Sequence, residues 1–155
     1  MSAVVDASAT MALMLGEPGA DRVRDIVRGS LMSAVNISEC CARGVERGAS
    51  ADTVLSILTM YEITVVPFDL PQALEAARLR EPTRPQGASL GDRACLALGR
   101  TRNLPIYTAD RRLAEVDPAL GIDIRLIRCA APHPPSPPSA SPQAGLPSTR
   151  VWTPS

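Results

Sequence analysis

The feature that most constrains this chain is a set of short apolar runs, each of which stops where a helical pattern begins. The first is Ala3-Val4-Val5-Asp6, followed directly by Ala7-Ser8-Ala9-Thr10. A run of this length, apolar on both sides and closed by a carboxylate, reads as a strand buried on both faces. Strands of that kind need helices on either side, joined by crossovers. Residues 2–6 are predicted as strand one, and helix one runs from about Ser8 to Leu15 with Asp6 or Ser8 as its cap. Gly16-Glu17-Pro18-Gly19 breaks it, and helix two covers about 19–29.

The pattern repeats. Leu31–Val35 reads as strand two, and Asn36-Ile37-Ser38-Glu39 opens helix three, which reaches about Arg47. Helix four spans about 51–61, and with helix three it forms a helical hairpin inserted in the crossover. Ile63–Pro67 is strand three, and helix five runs from Asp69 to about Arg80. The loop at 81–87 is rich in Pro and Gly; helix six follows over about 90–102. Leu104–Thr108 is strand four, and Ala109-Asp110 starts a short helix ending near Val116. Residues 122–127 alternate and read as an edge strand. The expected fold is a three-layer α/β/α sandwich with a mainly parallel sheet over residues 1–128. From Cys129 the character changes. Eight of the fifteen prolines fall between Ala130 and Ser155, with no apolar period, so residues 129–155 read as a disordered, Pro- and Ser-rich tail.

Composition narrows the chemistry. The formal net charge is zero, so no overall field draws the chain to nucleic acid or a membrane, and any such contact must be local. All sixteen basic residues are Arg. Without Lys there is no phosphate-binding P-loop lysine and no Schiff base. The four cysteines, Cys40, Cys41, Cys95 and Cys129, form no C-x-x-C pair, and the one histidine, His133, lies in the tail; a zinc site is not expected. Small reduced core thiols fit a cytoplasmic protein. Met11–Leu15 is too short for a membrane span, and no signal peptide or membrane contact is expected.

In an open parallel sheet, right-handed crossovers bring every strand outlet to one edge. Asp6 follows strand one, Glu39 lies one turn into the helix after strand two, and Asp110 follows strand four. Asp92 enters from the start of helix six, which feeds strand four. Each of these acids also stands at a helix start, where a carboxylate is favoured as an ordinary cap. Asn36-x-x-Glu39 has the form of a capping box, and Ser89-x-x-Asp92 is a weaker relative. Twelve other acids leave position alone unable to single out these four. Convergence separates the two readings. Two carboxylates about 4 Å apart repel by roughly 4 kcal/mol at an effective dielectric near 20, and a divalent cation removes that repulsion. Oxygen ligands without His or Cys select Mg²⁺ or Mn²⁺, and Mg²⁺ typically works with phosphate.

Val5-Asp6-Ala7-Ser8-Ala9, Ser33-Ala34-Val35-Asn36-Ile37-Ser38-Glu39, Ser89-Leu90-Gly91-Asp92-Arg93-Ala94-Cys95-Leu96-Ala97-Leu98 and Tyr107-Thr108-Ala109-Asp110 resemble, in order and spacing, the motifs of PIN domains. The resemblance is to the VapC-type toxin ribonucleases of bacterial toxin–antitoxin pairs, and it covers about residues 2–128. It implies that Asp6, Glu39, Asp92 and Asp110 bind Mg²⁺ or Mn²⁺ and carry metal-dependent hydrolysis of RNA. Ser8 and Thr108 would steer carboxylates, or be plain helix-start hydroxyls. Asn36 would hold Glu39, or cap a helix, and Arg93 would face RNA phosphate, or pair on the surface. The resemblance also implies a cognate antitoxin, for which the apolar faces around helices two to four form a plausible groove, and homodimers occur in such families. Two other functions remain open. One is a binding module with the same fold and no turnover. The other is a phosphatase with Asp6 as nucleophile, which the family of that chemistry pairs with a second Asp where this chain has Ser8.

Overall fold

The computed structural model describes residues 2–128; the expected tail and Cys129 lie outside them. Five strands, β1 (Val4–Val5), β2 (Leu31–Ser33), β3 (Thr64–Val66), β4 (Ile106–Thr108) and β5 (Ile124–Leu126), form one sheet in the order β3-β2-β1-β4-β5. Every pairing is parallel, with Val4 opposite both Leu31 and Ile106. Among the described residues seven α-helices surround it: α1 (Ala7–Leu15), α2 (Ala20–Ile26), α3 (Ala34–Glu46), α4 (Ala51–Met60), α5 (Leu70–Arg78), α6 (Leu90–Arg102) and α7 (Arg111–Ala114). The three-layer sandwich expected from the strand–helix alternation is the fold observed, and β5 is an edge strand, as its alternation predicts.

The layers follow from the strand period. Val5 and Tyr107 face one side, where they pack with Ala9, Ala12 and Leu13 of α1, Val23 of α2, Cys40 of α3 and Leu58 of α4. Val4 and Ile106 face the other, against Ala76 of α5, Cys95, Leu96 and Leu98 of α6, and Leu113 of α7. Neighbouring residues on one strand thus feed opposite cores. Fully burying a Val, Leu or Ile side chain of these cores contributes about 1.5–3 kcal/mol. Gly44 lets the α3–α4 hairpin close, because a Cβ there would run into Cγ2 of Val54.

The element ends depart from the sequence reading in small ways. Strand two does not reach Val35. Ser33 is already a cap, its hydroxyl accepting from Val35 N at 3.3 Å, and α3 starts at Ala34. Asn36 is therefore inside the first turn, and Asn36-x-x-Glu39 is not a capping box. Helix two ends at Ile26 rather than 29, where Ser30 donates its backbone N–H and its hydroxyl to the Val27 carbonyl. Gly16 ends α1 with φ 65°, a left-handed cap that glycine adopts without strain.

The strand order decides where a site can form. From β1 the chain moves to β2 and β3 on one side; from β3 it crosses back over both to β4, and then continues outward to β5. Connections leave β1 and β4 in opposite directions, so a crevice opens between their carboxyl ends. Asp6 follows β1 immediately, and Asp110 lies two residues past β4.

Candidate active site

A cleft of about 310 Å³ lies at that crevice, lined by Asp6, Ala7, Ser8, Asn36, Glu39, Arg43, Ser89, Asp92 and Asp110. Four chain segments far apart in sequence supply its four carboxylates. Asp6 caps α1, Glu39 projects from α3, Asp92 from the first turn of α6, and Asp110 caps α7. Helix α6 brings Asp92 to this edge because it runs back against the parallel strands before feeding β4.

Asp6 is the most constrained. Its Oδ1 accepts from Ala9 N at 2.7 Å, and its Oδ2 accepts from the Thr108 hydroxyl at 2.6 Å. The Ser8 hydroxyl donates to both oxygens at 2.9 and 2.8 Å. Each hydroxyl also accepts one backbone N–H, from Ala109 at Ser8 and from Asp110 at Thr108. Two hydroxyls thereby stitch the β1–α1 turn to the β4–α7 turn across the crevice. Burial nevertheless pushes the Asp6 carboxyl up from 3.8 to about 6, the hydrogen bonds working against this rise and the charge of Asp92 adding to it.

Glu39 is held by a second device. Asn36 is buried, and its amide N–H₂ donates to Glu39 Oε2 at 2.9 Å and to the Gly91 carbonyl at 3.2 Å. The carboxylate lies so close over Gly91 that a Cβ there would fall inside it. Asn36 Oδ1, also buried, has no partner among the described residues. Asp92 keeps its helix role: Ser89 Oγ accepts from Asp92 N at 3.1 Å and Asp92 Oδ2 accepts from Ser89 N at 2.7 Å, a complete capping box. Asp110 Oδ1 accepts from Arg112 N at 2.8 Å. Both acids thus cap helices and line the cleft as well.

Arg93 has other employment. It donates to the carbonyls of Ser89 and Ala76, tying α6 to α5, and is not among the residues lining the cleft. The arginine that lines it is Arg43, four residues past Glu39 on α3. Sequence reasoning passed over Arg43 and Gly91. The signal for Arg43 was its i,i+4 relation to an acid already singled out. The signal for Gly91 was a glycine inside a helix, where it costs about 1 kcal/mol relative to Ala unless packing requires it.

Two buried thiols flank the acids. Burial pushes Cys40 up to about 12, and Cys95 rises well above its ordinary value through burial and then the charges of Asp6, Asp92 and Glu39. Neither thiol lines the cleft, whose acidic groups are all carboxylates. Among the described residues, no three Asp, Glu, His or Cys side chains close into a ready cation cage. The residues do fit a hydrated hard cation. Mg²⁺ keeps several waters and needs only one or two direct carboxylates. The unpartnered Asn36 Oδ1 and a carboxyl whose ionisation is opposed by a neighbouring acid both stand to gain from positive charge in the cleft.

A family profile described as the PIN domain matches residues 3–118. Comparison with curated protein sequences finds no match. Solved structures with a similar fold include a toxin–antitoxin complex from Klebsiella pneumoniae, at TM-score 0.62 and 15% identity over 81% of this chain and 97% of that one. VapBC-1 from nontypeable Haemophilus influenzae superposes at TM-score 0.60 with 14% identity, over 82% and 98% of the two chains. VapC20 from Mycobacterium tuberculosis, described as a sarcin–ricin loop cleaving toxin, does so at 0.62 with 17% identity, over 74% and 93%.

Proposed function

Given that this chain belongs to the PIN domain family, we propose that it is a metal-dependent ribonuclease, the toxin of a toxin–antitoxin pair. The observation that carries the reading is the lining of one cleft at the sheet's switch point by Asp6, Glu39, Asp92 and Asp110. Outside a common function, four like charges drawn from four segments into one cavity would be a liability.

Asp6, Glu39, Asp92 and Asp110 would hold Mg²⁺ or Mn²⁺, directly or through water. Bound there, the ion supplies positive charge beside the phosphate and a water of lowered pKa. The protein's part is to fix and orient. Ser8, Thr108 and Ala9 N lock the Asp6 carboxylate in one rotamer. Asn36 and the bare backbone of Gly91 do the same for Glu39. Such positioning of charge before the substrate arrives is where most of the rate enhancement in phosphate chemistry originates. Ser8 stands where the phosphatase reading needs a second Asp, and the chain has no Lys, which disfavours Asp6 as covalent nucleophile. The binding-module reading has in its favour only that the acids do not close into a cage.

The toxin part of the proposal rests on the likeness in fold to the Klebsiella, Haemophilus and Mycobacterium proteins. An antitoxin helix has a surface to meet on the α3–α4 hairpin, where Val45, Leu55 and Met60 are 53%, 43% and 78% exposed. A homodimer and a cytoplasmic location belong to the same proposal, and among the described residues no helix is long and apolar enough to cross a membrane. The test is cleavage of RNA by the purified chain with Mg²⁺ or Mn²⁺. Cleavage is expected to vanish in excess EDTA and in Asp6→Asn and Asp92→Asn. Full activity in either variant, or with the metal chelated, refutes the assignment.

A further inference from the structure

We propose that Arg43 is a substrate-binding residue that grips an RNA phosphate beside the acidic cleft; this rests on the ribonuclease reading above. Three observations point to it. Arg43 is exposed and is the one cationic side chain among the residues lining the cleft. It has no carboxylate within ion-pair distance among the described residues, whereas Arg78, Arg100 and Arg125 are paired and Arg93 is spent on backbone carbonyls. The third observation is a pairing the geometry declines. Glu39 and Arg43 stand at i and i+4 on α3, in the order that ordinarily forms a helix ion pair. Glu39 is instead held by Asn36 and laid over Gly91, and forms no ion pair with Arg43.

The consequence is a free guanidinium at the rim of a cavity whose other charges are all negative. A polyanion approaching four carboxylates needs a compensating cation outside the metal position. A guanidinium meets phosphate through two parallel N–H donors, which a single ammonium cannot reproduce. Because the contact is to the backbone of the RNA, Arg43 adds affinity without reading bases.

The test is binding of a short labelled single-stranded RNA, followed by anisotropy in Ca²⁺ and again in EDTA, over a series of salt concentrations. Arg43→Ala is expected to weaken binding about tenfold and by a similar factor for unrelated sequences. The slope of log K against log salt should become shallower by about 0.7, the value for one contact to a single strand. Arg43→Lys should restore the slope and only part of the affinity. A merely structural role would not move the slope, and unfolding curves of each variant check that α3 is intact. Unchanged affinity and slope in Arg43→Ala, with wild-type protein still cleaving RNA, overturns this assignment alone. Wild-type protein that neither binds nor cleaves RNA overturns both it and the ribonuclease reading.

Discussion

Asp6→Asn should make the metal-free protein more stable at neutral pH while removing its activity. The buried Asp6 carboxyl titrates at about 6 rather than 3.8. Each pH unit between those values corresponds to about 1.4 kcal/mol, so holding the charged form in the native state costs about 3 kcal/mol at pH 7. The sign follows from proton counts. Between about pH 4 and pH 6 the unfolded chain has lost this proton and the native chain keeps it, so stability falls as pH rises through that window and is level above it. Asparagine carries no charge in either state and removes this dependence. It can still accept from Ala9 N, but its amide cannot accept from both hydroxyls, a loss of about 1 kcal/mol. The variant is therefore expected to be about 1 kcal/mol less stable than wild type near pH 4 and about 2 kcal/mol more stable at pH 7.5. The assay is urea unfolding of both proteins in EDTA across that range. Other carboxylates titrate in both, so the difference isolates Asp6. A swing smaller than about 1 kcal/mol, or one of opposite sign, would show that burial does not govern this carboxyl.

Gly91→Ala puts a methyl group into the space of the Glu39 carboxylate. It is expected to lower cleavage at least tenfold, while an unfolding curve shows a stability change under about 2 kcal/mol, since Ala favours the helix by about 1 kcal/mol; wild-type turnover would mean that Glu39 does not need its place. On the proposed reading Mg²⁺ or Mn²⁺ would bind the native cleft and not the unfolded chain, so a concentration of about a hundred times Kd should raise wild-type stability by about 2.7 kcal/mol. Asp6→Asn should lose most of that gain, and an equal gain in the variant would place the ion elsewhere.

Much of this molecule can be read along the chain. Val4-Val5, Leu31-Met32 and Ile106-Tyr107 declare buried strands by their apolar character, and Asp6, Asp69, Ser89 and Asp110 mark helix starts by the caps they make. These are short-range effects, a period of two or a hydroxyl reaching a backbone N–H within one turn, and they leave a local trace. They suffice for a parallel α/β sandwich with acids at its strand outlets.

What no stretch of sequence contains is the strand order. That β1 lies between β2 and β4 depends on which faces pack best once every helix is in place, and this order opens the crevice between Asp6 and Asp110. Thr108 reaches Asp6 across 102 positions, and Asn36 reaches the Gly91 carbonyl across 55. The same packing sends Arg93 to the Ala76 carbonyl and leaves Arg43 facing the cleft. Local rules fix what each segment becomes. The balance of burial among distant segments fixes which side chains meet, and so which charges share a cavity.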